Sequence, residues 1–415
     1  MPRPYLEQLP LADISQAMEN RLHNRAISRH SAVTEVVKKR RTASVIFTVS
    51  PGAPHIIRQL RMGDERAGAL DSTMAMQLSQ CPIHAGEPYD LQRLTDERER
   101  VAEELRNRGW YRLRADDLVW TADTTLGPRS MLVHLRVKPT TSEAKRSMYT
   151  IGRVTVHADQ DEVLPPTDTL MVDSVEYISY LDMYRPAPIM KGVLVRPGDT
   201  YSLAHTNAMQ RYLASYGVFH NVLVAYAEDS LKEGVLNARI AMMPLERFSL
   251  FSEANMVSKS NNFAGPGVRA GFVDRNLFGG AEQFTLDVNG RFEWQVSGAN
   301  QGTNAYEVGI KAGLAIPRML LLPEPKGLRS SAPVTNLAMG FGLYRRIDLY
   351  GMRTAAAGLS YAWRKNKQVW HDLQLVEVSY NNLYYTTPDF DEFLNENPTI
   401  KRSFEDQFIL GFGYT

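Results

Sequence analysis

A single cysteine, Cys81, stands in the whole chain, so no intrachain disulfide and no cysteine-rich zinc site can form, and the redox compartment stays open. Long apolar runs are missing as well: nothing approaches the roughly 18 consecutive apolar residues of a membrane-crossing helix. That absence does not exclude a membrane, because barrel strands need only about 9–11 alternating residues and keep mean hydropathy low. Excess charge is also missing. A net charge of +1 provides no global field toward nucleic acid or anionic lipid. The basic run Lys38-Lys39-Arg40-Arg41 precedes the strand-like Ala43–Val49, and reads as a solvated strand edge rather than a nucleic-acid patch. The first 16 residues have no basic start, apolar core or cleavage site of a secretory signal. They suit either a cytoplasmic protein or a chain whose native precursor begins further upstream.

Catalytic motifs are equally scarce. The nine histidines include no His-Glu-x-x-His and no pair at helical ligand spacing. Ser360 in Gly358-Leu-Ser-Tyr-Ala362 imitates a nucleophile elbow, but it sits inside an alternating strand instead of a strand–turn–helix corner. Gly265-Pro-Gly267 and Gly279-Gly280 lack a following Lys-Ser/Thr and read as tight turns. The acidic cluster Asp389, Asp391 and Glu392 could hold calcium weakly but reads more simply as an acidic extracellular loop. Asp274-Arg275 is expected as an ion pair at a turn, and Cys81 as a small packing residue. No catalytic residue, cofactor or metal site is expected.

What the chain does contain are two regions with different patterning, meeting near Pro244. Its 415 residues allow roughly two to four domains, and its 44% hydrophobic and 22% charged content is ordinary for a folded protein. The first region carries a degenerate repeat. One copy runs from Gly86 to Tyr111 and another from Gly198 to Phe219; each has Gly-x-x-Tyr, a helix, Leu, then Gly with an aromatic or apolar pair. Leu91, Leu94, Val101 and Leu105 keep helical spacing, and Gly109 suits a helix C-terminus. Strands are predicted before the helices at 54–62 and 149–158, and after them at 110–122, 130–138, 218–228 and 235–243. Residues 22–29 match 105–112 in spacing and precede a strand-like 43–49, as the tail of a third copy would.

The second region consists of long alternating strands, predicted at 247–257, 267–273, 283–296, 304–316, 335–344, 353–364, 369–380 and 402–415. In 283–296, Phe284, Leu286, Val288, Phe292, Trp294 and Val296 share one face, with Gln283, Thr285, Asp287, Asn289, Arg291, Glu293 and Gln295 on the other. A phase shift at Leu375/Val376 predicts a bulge. Soluble sandwiches alternate too, but with shorter strands. Faces of Gly, Glu, Lys and Gln opposite faces of Leu, Val and Phe, with aromatic pairs near strand ends, fit a membrane barrel better.

These features together resemble the outer-membrane assembly factor family of BamA/TamA type. Residues 265–288, GPGVRAGFVDRNLFGGAEQFTLDV, look like that family's opening barrel hairpin with its Arg-Asn-Leu-Phe-Gly-Gly turn. The repeats look like POTRA domains, and residues 316–325, IPRMLLLPEP, are similar to the TamA-like (TamL) branch of Bacteroidetes-type bacteria. The resemblance implies α+β POTRA repeats followed by the N-terminal half of an antiparallel transmembrane β-barrel of surface-antigen D15 type, about eight of sixteen strands. It divides the chain into a partial unit 1–51, repeat domains 52–140 and 147–245, and a half-barrel 246–415. The family's Arg-Gly-Phe/Tyr loop motif and closing strand do not appear, nor does a lipid-anchor cysteine at the start, so a fragment truncated at both ends is expected.

The implied function is insertion or translocation of proteins at the outer membrane, with the repeats in the periplasm and no enzyme activity. The partners implied are the lipid bilayer, unfolded outer-membrane proteins and periplasm-spanning or accessory subunits, without nucleic acid. Arg275, Asn276, Leu277, Phe278, Gly279 and Gly280 would form a periplasmic turn; Phe284, Leu286, Val288, Phe292 and Trp294 would face lipid. The first strand, 247–257, would be the seam, weakened toward lipid by Ser252, Glu253 and Asn255. A passive pore or receptor barrel and a soluble β-rich adhesin or enzyme are the alternatives.

Overall fold

The computed structural model describes residues 9–27, 31–39, 42–64, 68–161, 163–260, 263–295, 304–324, 331–366 and 368–415. Val296, Ser28, Arg29, Arg40 and Arg41, named above, lie outside them. Two compact units emerge, Met1–Thr150 with Thr200–Leu203, and Ile151–Asp199 with Ala204–Thr415.

The first unit opens with α1 (Leu11–His23) and a hairpin of β1 (Ser31–Lys38) and β2 (Ala43–Ser50). Then come β3 (Ile56–Met62), α2 (Ala69–Met76), α3 (Leu91–Asn107), β4 (Leu118–Asp123), β5 (Ser130–Val137) and the single turn α4 (Glu143–Arg146). β5 lies between β3, which it meets in parallel, and β4, which it meets antiparallel. The parallel contact requires a crossover, supplied by α2 and α3. Asp90 caps α3 by accepting from the Gln92 and Arg93 amides, and Gly109 past its end has φ +111°. Leu94, Val101 and Leu105 bury completely against Ile57, Val133 and Leu135, while Leu91 on the first turn stays 39% exposed. Cys81 is in this core, and burial together with nearby Glu97 pushes its thiol up to about 11, which keeps it protonated. The strand predicted over 110–122 begins only at Leu118. Asp117 accepts from the Arg114 amide and tightens the preceding residues into a turn.

The second unit begins with β6 (Thr150–His157), β7 (Asp168–Val172), β8 (Val175–Ser179), α5 (Pro186–Met190), α6 (Leu203–Ala214), β9 (Phe219–Glu228) and β10 (Val235–Pro244), with sheet order β7-β8-β6-β10-β9. The repeat signature is a shared hydrogen-bond pattern. Gly86 (φ +96°) and Gly198 (φ +92°) donate to the carbonyls of Ile57 and Ile151, at 2.7 and 2.8 Å. Tyr89 and Tyr201 donate to those of His55 and Tyr149, at 2.9 and 3.0 Å. Each Gly-x-x-Tyr thus stitches the entry of a helix to the strand before it.

His157 on β6 is half-buried, its Nδ1 2.7 Å from the Tyr180 hydroxyl. Burial, with Arg239 nearby, depresses its pKa from 6.5 to about 4. The unfolded chain therefore takes up the proton first as pH falls. Stability from the neutral ring should be intact above about 6.5 and decline toward 4, by about 1–2 kcal/mol once solvent screening is allowed for. Urea unfolding across that pH interval should show this slope in the native chain and a weaker one in His157→Gln.

The remainder is β11 (Phe248–Ser258), β12 (Phe263–Asp274), β13 (Gln283–Gln295), β14 (Asn304–Ile316), β15 (Val334–Arg346), β16 (Tyr350–Arg364), β17 (Trp370–Thr386), the helices α7 (Pro388–Glu396) and α8 (Pro398–Lys401), and β18 (Gln407–Tyr414). The eight strands form one antiparallel sheet in chain order. Leu375 is unpaired between Gln374 and Val376, so the bulge lies where the phase shift placed it. Two expectations fail at the end of the chain. The 388–393 cluster is the start of α7, because Thr387 caps the Phe390 amide and Pro388 and Asp389 suit a helix first turn. The last strand starts at Gln407, not 402, since Phe404 turns back to pack on Tyr350 and Phe390, with ring centroids 4.9 and 5.3 Å away. No described helix is long and apolar enough to cross a membrane, which leaves crossing by strands untouched.

Candidate functional site: a two-faced sheet, its edges and its docked corner

Directly opposed residues in an antiparallel sheet share a face, so the register can be followed across all eight strands. One row reads Leu250, Phe272, Leu286, Ala312, Met339, Ala357, Val378, Leu410. Its neighbour on the other face reads Phe251, Gly271, Asp287, Lys311, Gly340, Ala356, Ser379, Ile409. The first row is apolar throughout and open: Leu250 is 82% exposed, Met339 69% and Leu410 64%. The other face carries ion pairs and hollows. Arg269 pairs with Asp287 at 2.5 Å, Arg291 with Glu307 at 3.5 Å and Lys259 with Glu293 at 2.6 Å. Two cavities of about 450 and 480 Å3 open on this side, lined by Asp287, Lys311, Asn289 and Arg291 among others.

Val288, Phe292 and Trp294 lie exposed on the apolar face, and Phe284 and Leu286 lie half-buried on it. Phe284 to Trp294 is ten steps of about 3.4 Å, or about 34 Å, which a tilt near 45° projects to about 24 Å. That matches the roughly 25 Å apolar band of a barrel. Aromatic clusters stand at both limits: Phe292 with Trp294 at one end, and Trp363, His371 and Tyr414 stacked at the other.

Among the described residues the sheet is not closed. β11 pairs only with β12, and β18 only with β17. Each outer edge therefore presents free N–H and C=O groups. The polar residues expected to weaken β11 toward lipid are mostly elsewhere. Period-two alternation puts Glu253 and Asn255 on the charged face, and only Ser252 on the apolar one. The composition of β11 therefore does not set this edge apart as the weak strand expected from the sequence.

The corner between β12 and β13 holds Arg275, Asn276, Leu277, Phe278, Gly279 and Gly280. Asn276 is buried; its amide nitrogen donates to the Met183 carbonyl at 2.5 Å, and its Oδ1 accepts from the Ala281 amide at 3.0 Å. The Arg185 amide donates to the Gly279 carbonyl at 2.7 Å. Gly279 has φ +78°, which favours glycine, and a Cβ on Gly280 would meet the Glu282 carboxylate at 2.4 Å and push it aside. Glu282 is fully buried, accepts from the Gly280 amide at 2.7 Å, and faces Arg318 and Arg185 at 3.5 and 3.6 Å. The expected Asp274–Arg275 pair does not form. Asp274 pairs with Arg247 at 3.0 Å, and Arg275 bonds Ser249 at 2.7 Å, because consecutive strand residues point to opposite faces.

The loop that receives this corner is itself organised by buried Asp159. Its carboxylate accepts from the Ser179 hydroxyl and from the amides of Tyr180, Leu181 and Met183, at 2.8 to 3.2 Å. Asp159, Met183, Arg185 and Glu282 escaped the sequence reading. Their partners are tens of residues away, and only the Glu282 position beside the Gly-Gly pair hinted at a role. Among the described residues no group of three or more His, Cys, Asp or Glu could hold a metal ion.

Several solved structures are similar to this chain. BamA from Haemophilus ducreyi lacking POTRA domains 1–3 matches at 11% identity and a TM-score of 0.46, over 87% of this chain and 58% of that one. CdiB from Acinetobacter baumannii matches at 9% identity and a TM-score of 0.28, over 91% and 69%. POTRA1–3 of the periplasmic domain of Omp85 from Anabaena matches at 10% identity and a TM-score of 0.21, over 57% and 81%. This chain thus spans 58% of the length of the BamA structure. No family model and no curated protein matches the chain.

Proposed function

We propose that the chain is part of an outer-membrane factor that inserts or translocates β-rich proteins. Its eight-stranded sheet would lie in the bilayer, and its units at 1–51, 52–140 and 147–245 would act as POTRA-like domains in the periplasm. The observation that carries this reading is the two-faced sheet: an exposed apolar face across eight strands with a charged, hollow face behind it. Water cannot satisfy free N–H and C=O groups in hydrocarbon, so a strand edge there must be paired. The β11 edge would accept an incoming strand by backbone pairing, with little dependence on that strand's sequence. The repeat units would present unfolded outer-membrane protein substrates to it, with accessory subunits as further partners.

Cysteines placed singly from Phe248 to Val257 in the full-length protein should crosslink to nascent barrel substrates, and cysteines on the central strand β14 should not. Folded, inserted protein whose β11 positions give no crosslinks would rule the seam out.

A further inference from the structure

Residues 317–324, which follow β14, leave the sheet at the docked corner's end and fold back over the apolar face. Ile316, Thr335 and Tyr361 form one row of that face, and all three are buried. The cover is the segment's own backbone. Tyr361 donates to the Leu320 carbonyl at 2.7 Å, Thr335 donates to the Arg318 carbonyl at 2.7 Å, and the Leu320 amide donates to Thr335 at 3.1 Å. Just past these anchors apolar side chains are exposed: Leu321 is 88% and Leu322 37% exposed. Leu321 has φ +66°, a left-handed conformation rarely adopted by a bulky residue, with the Leu322 amide bonded to the Leu320 carbonyl at 2.8 Å.

Beside the loop lies a cleft of about 150 Å3, lined by Arg185, Pro188, Lys191, Tyr216, Pro317 and Arg318. Three cations face two carboxylates here, Glu282 beneath and Glu324 on Lys191 at 3.1 Å, so one positive charge remains. Glu282 lies 3.5 Å or more from both guanidinium groups, and its Oε1 accepts no hydrogen bond. The guanidinium donors are therefore not consumed by it.

We infer that this loop and cleft form a phospholipid site: Leu321 and Leu322 enter the bilayer interface, and Arg185, Lys191 and Arg318 receive the phosphate of an anionic phospholipid. The occupant follows from charge complementarity and from continuity with the apolar face that the loop covers. Apolar tips beside guanidinium and ammonium groups are the arrangement that suits the headgroup boundary. The inference rests on the proposal that the sheet lies in a bilayer.

The test uses the full chain in phosphatidylcholine vesicles with and without phosphatidylglycerol. Nitroxide labels are placed at Leu321→Cys, at Val308→Cys on the apolar face and at Leu231→Cys on an exposed loop, and each is read by collision with oxygen or a water-soluble nickel complex. The native Cys81 is buried and does not compete. Labels at 321 and 308 should favour oxygen, and the label at 231 nickel. Lys191→Gln should reduce the enrichment of phosphatidylglycerol around the protein about fivefold, the effect of one interfacial charge. A label at 308 in lipid with 321 in water overturns the anchor alone. A label at 321 in lipid with enrichment unchanged in Lys191→Gln overturns the phosphate site. A label at 308 in water overturns the bilayer reading and the anchor with it.

Discussion

Ile310→Arg should cost the lipid-inserted protein about 2–4 kcal/mol, whereas Lys311→Gln, one residue along the same strand, should cost little. Ile310 is 43% exposed and lies between Val288 and Phe341 on the apolar face, near the middle of β14. A guanidinium there meets hydrocarbon on one side and apolar side chains on the others, with no carboxylate across from it. Lys311 faces Asp287 and Gly340 on the hollow side, where loss of charge is absorbed by water. Urea titration of vesicle-inserted protein, followed by tryptophan fluorescence, compares the two directly. Equal stability of both variants would mean that the two faces do not differ in environment.

Glu282→Ala should unlatch the corner from the domain before it. The buried carboxylate holds the Gly280 amide and faces two arginines, and the Leu277 amide donates to the Glu282 carbonyl at 3.0 Å. Removing the side chain leaves a buried donor without a partner and two cations without a counter-charge. The arginines are partly hydrated, with 58% and 37% of their side chains exposed, which limits the loss to about 2–3 kcal/mol. The Arg185 amide, bonded to the Gly279 carbonyl, should then exchange its hydrogen about 30- to 150-fold faster. Unchanged exchange at Arg185 would show that the corner is held by other contacts.

Period-two alternation made the sheet legible. A strand that keeps Phe284, Leu286, Val288, Phe292 and Trp294 in phase leaves few other arrangements, and the predicted strands fall within a few residues of the observed ones over most of their length. The Gly-x-x-Tyr repeat was legible because it encodes a local hydrogen-bond pattern. The β7–β8 hairpin was not anticipated. Its turn residues, Asp173 and Ser174, adopt positive φ without glycine, so the usual Asn-Gly or Asp-Gly signal is missing. Helix α7 was hidden by its acidic residues, which read as loop chemistry until Thr387 is seen to cap it. The corner's docking was beyond sequence reasoning, because Asn276 and Met183 meet across 93 residues. No spacing rule reports a tertiary contact of that range.

The central claim is that one face of the sheet meets lipid and the other meets water. Single nitroxide labels at each position from Ala305 to Ala315, in the lipid-inserted full chain, test it most directly. Oxygen accessibility should peak at 306, 308, 310, 312 and 314 and nickel accessibility at the positions between. A profile without that period, or with nickel favoured at every position, would contradict it.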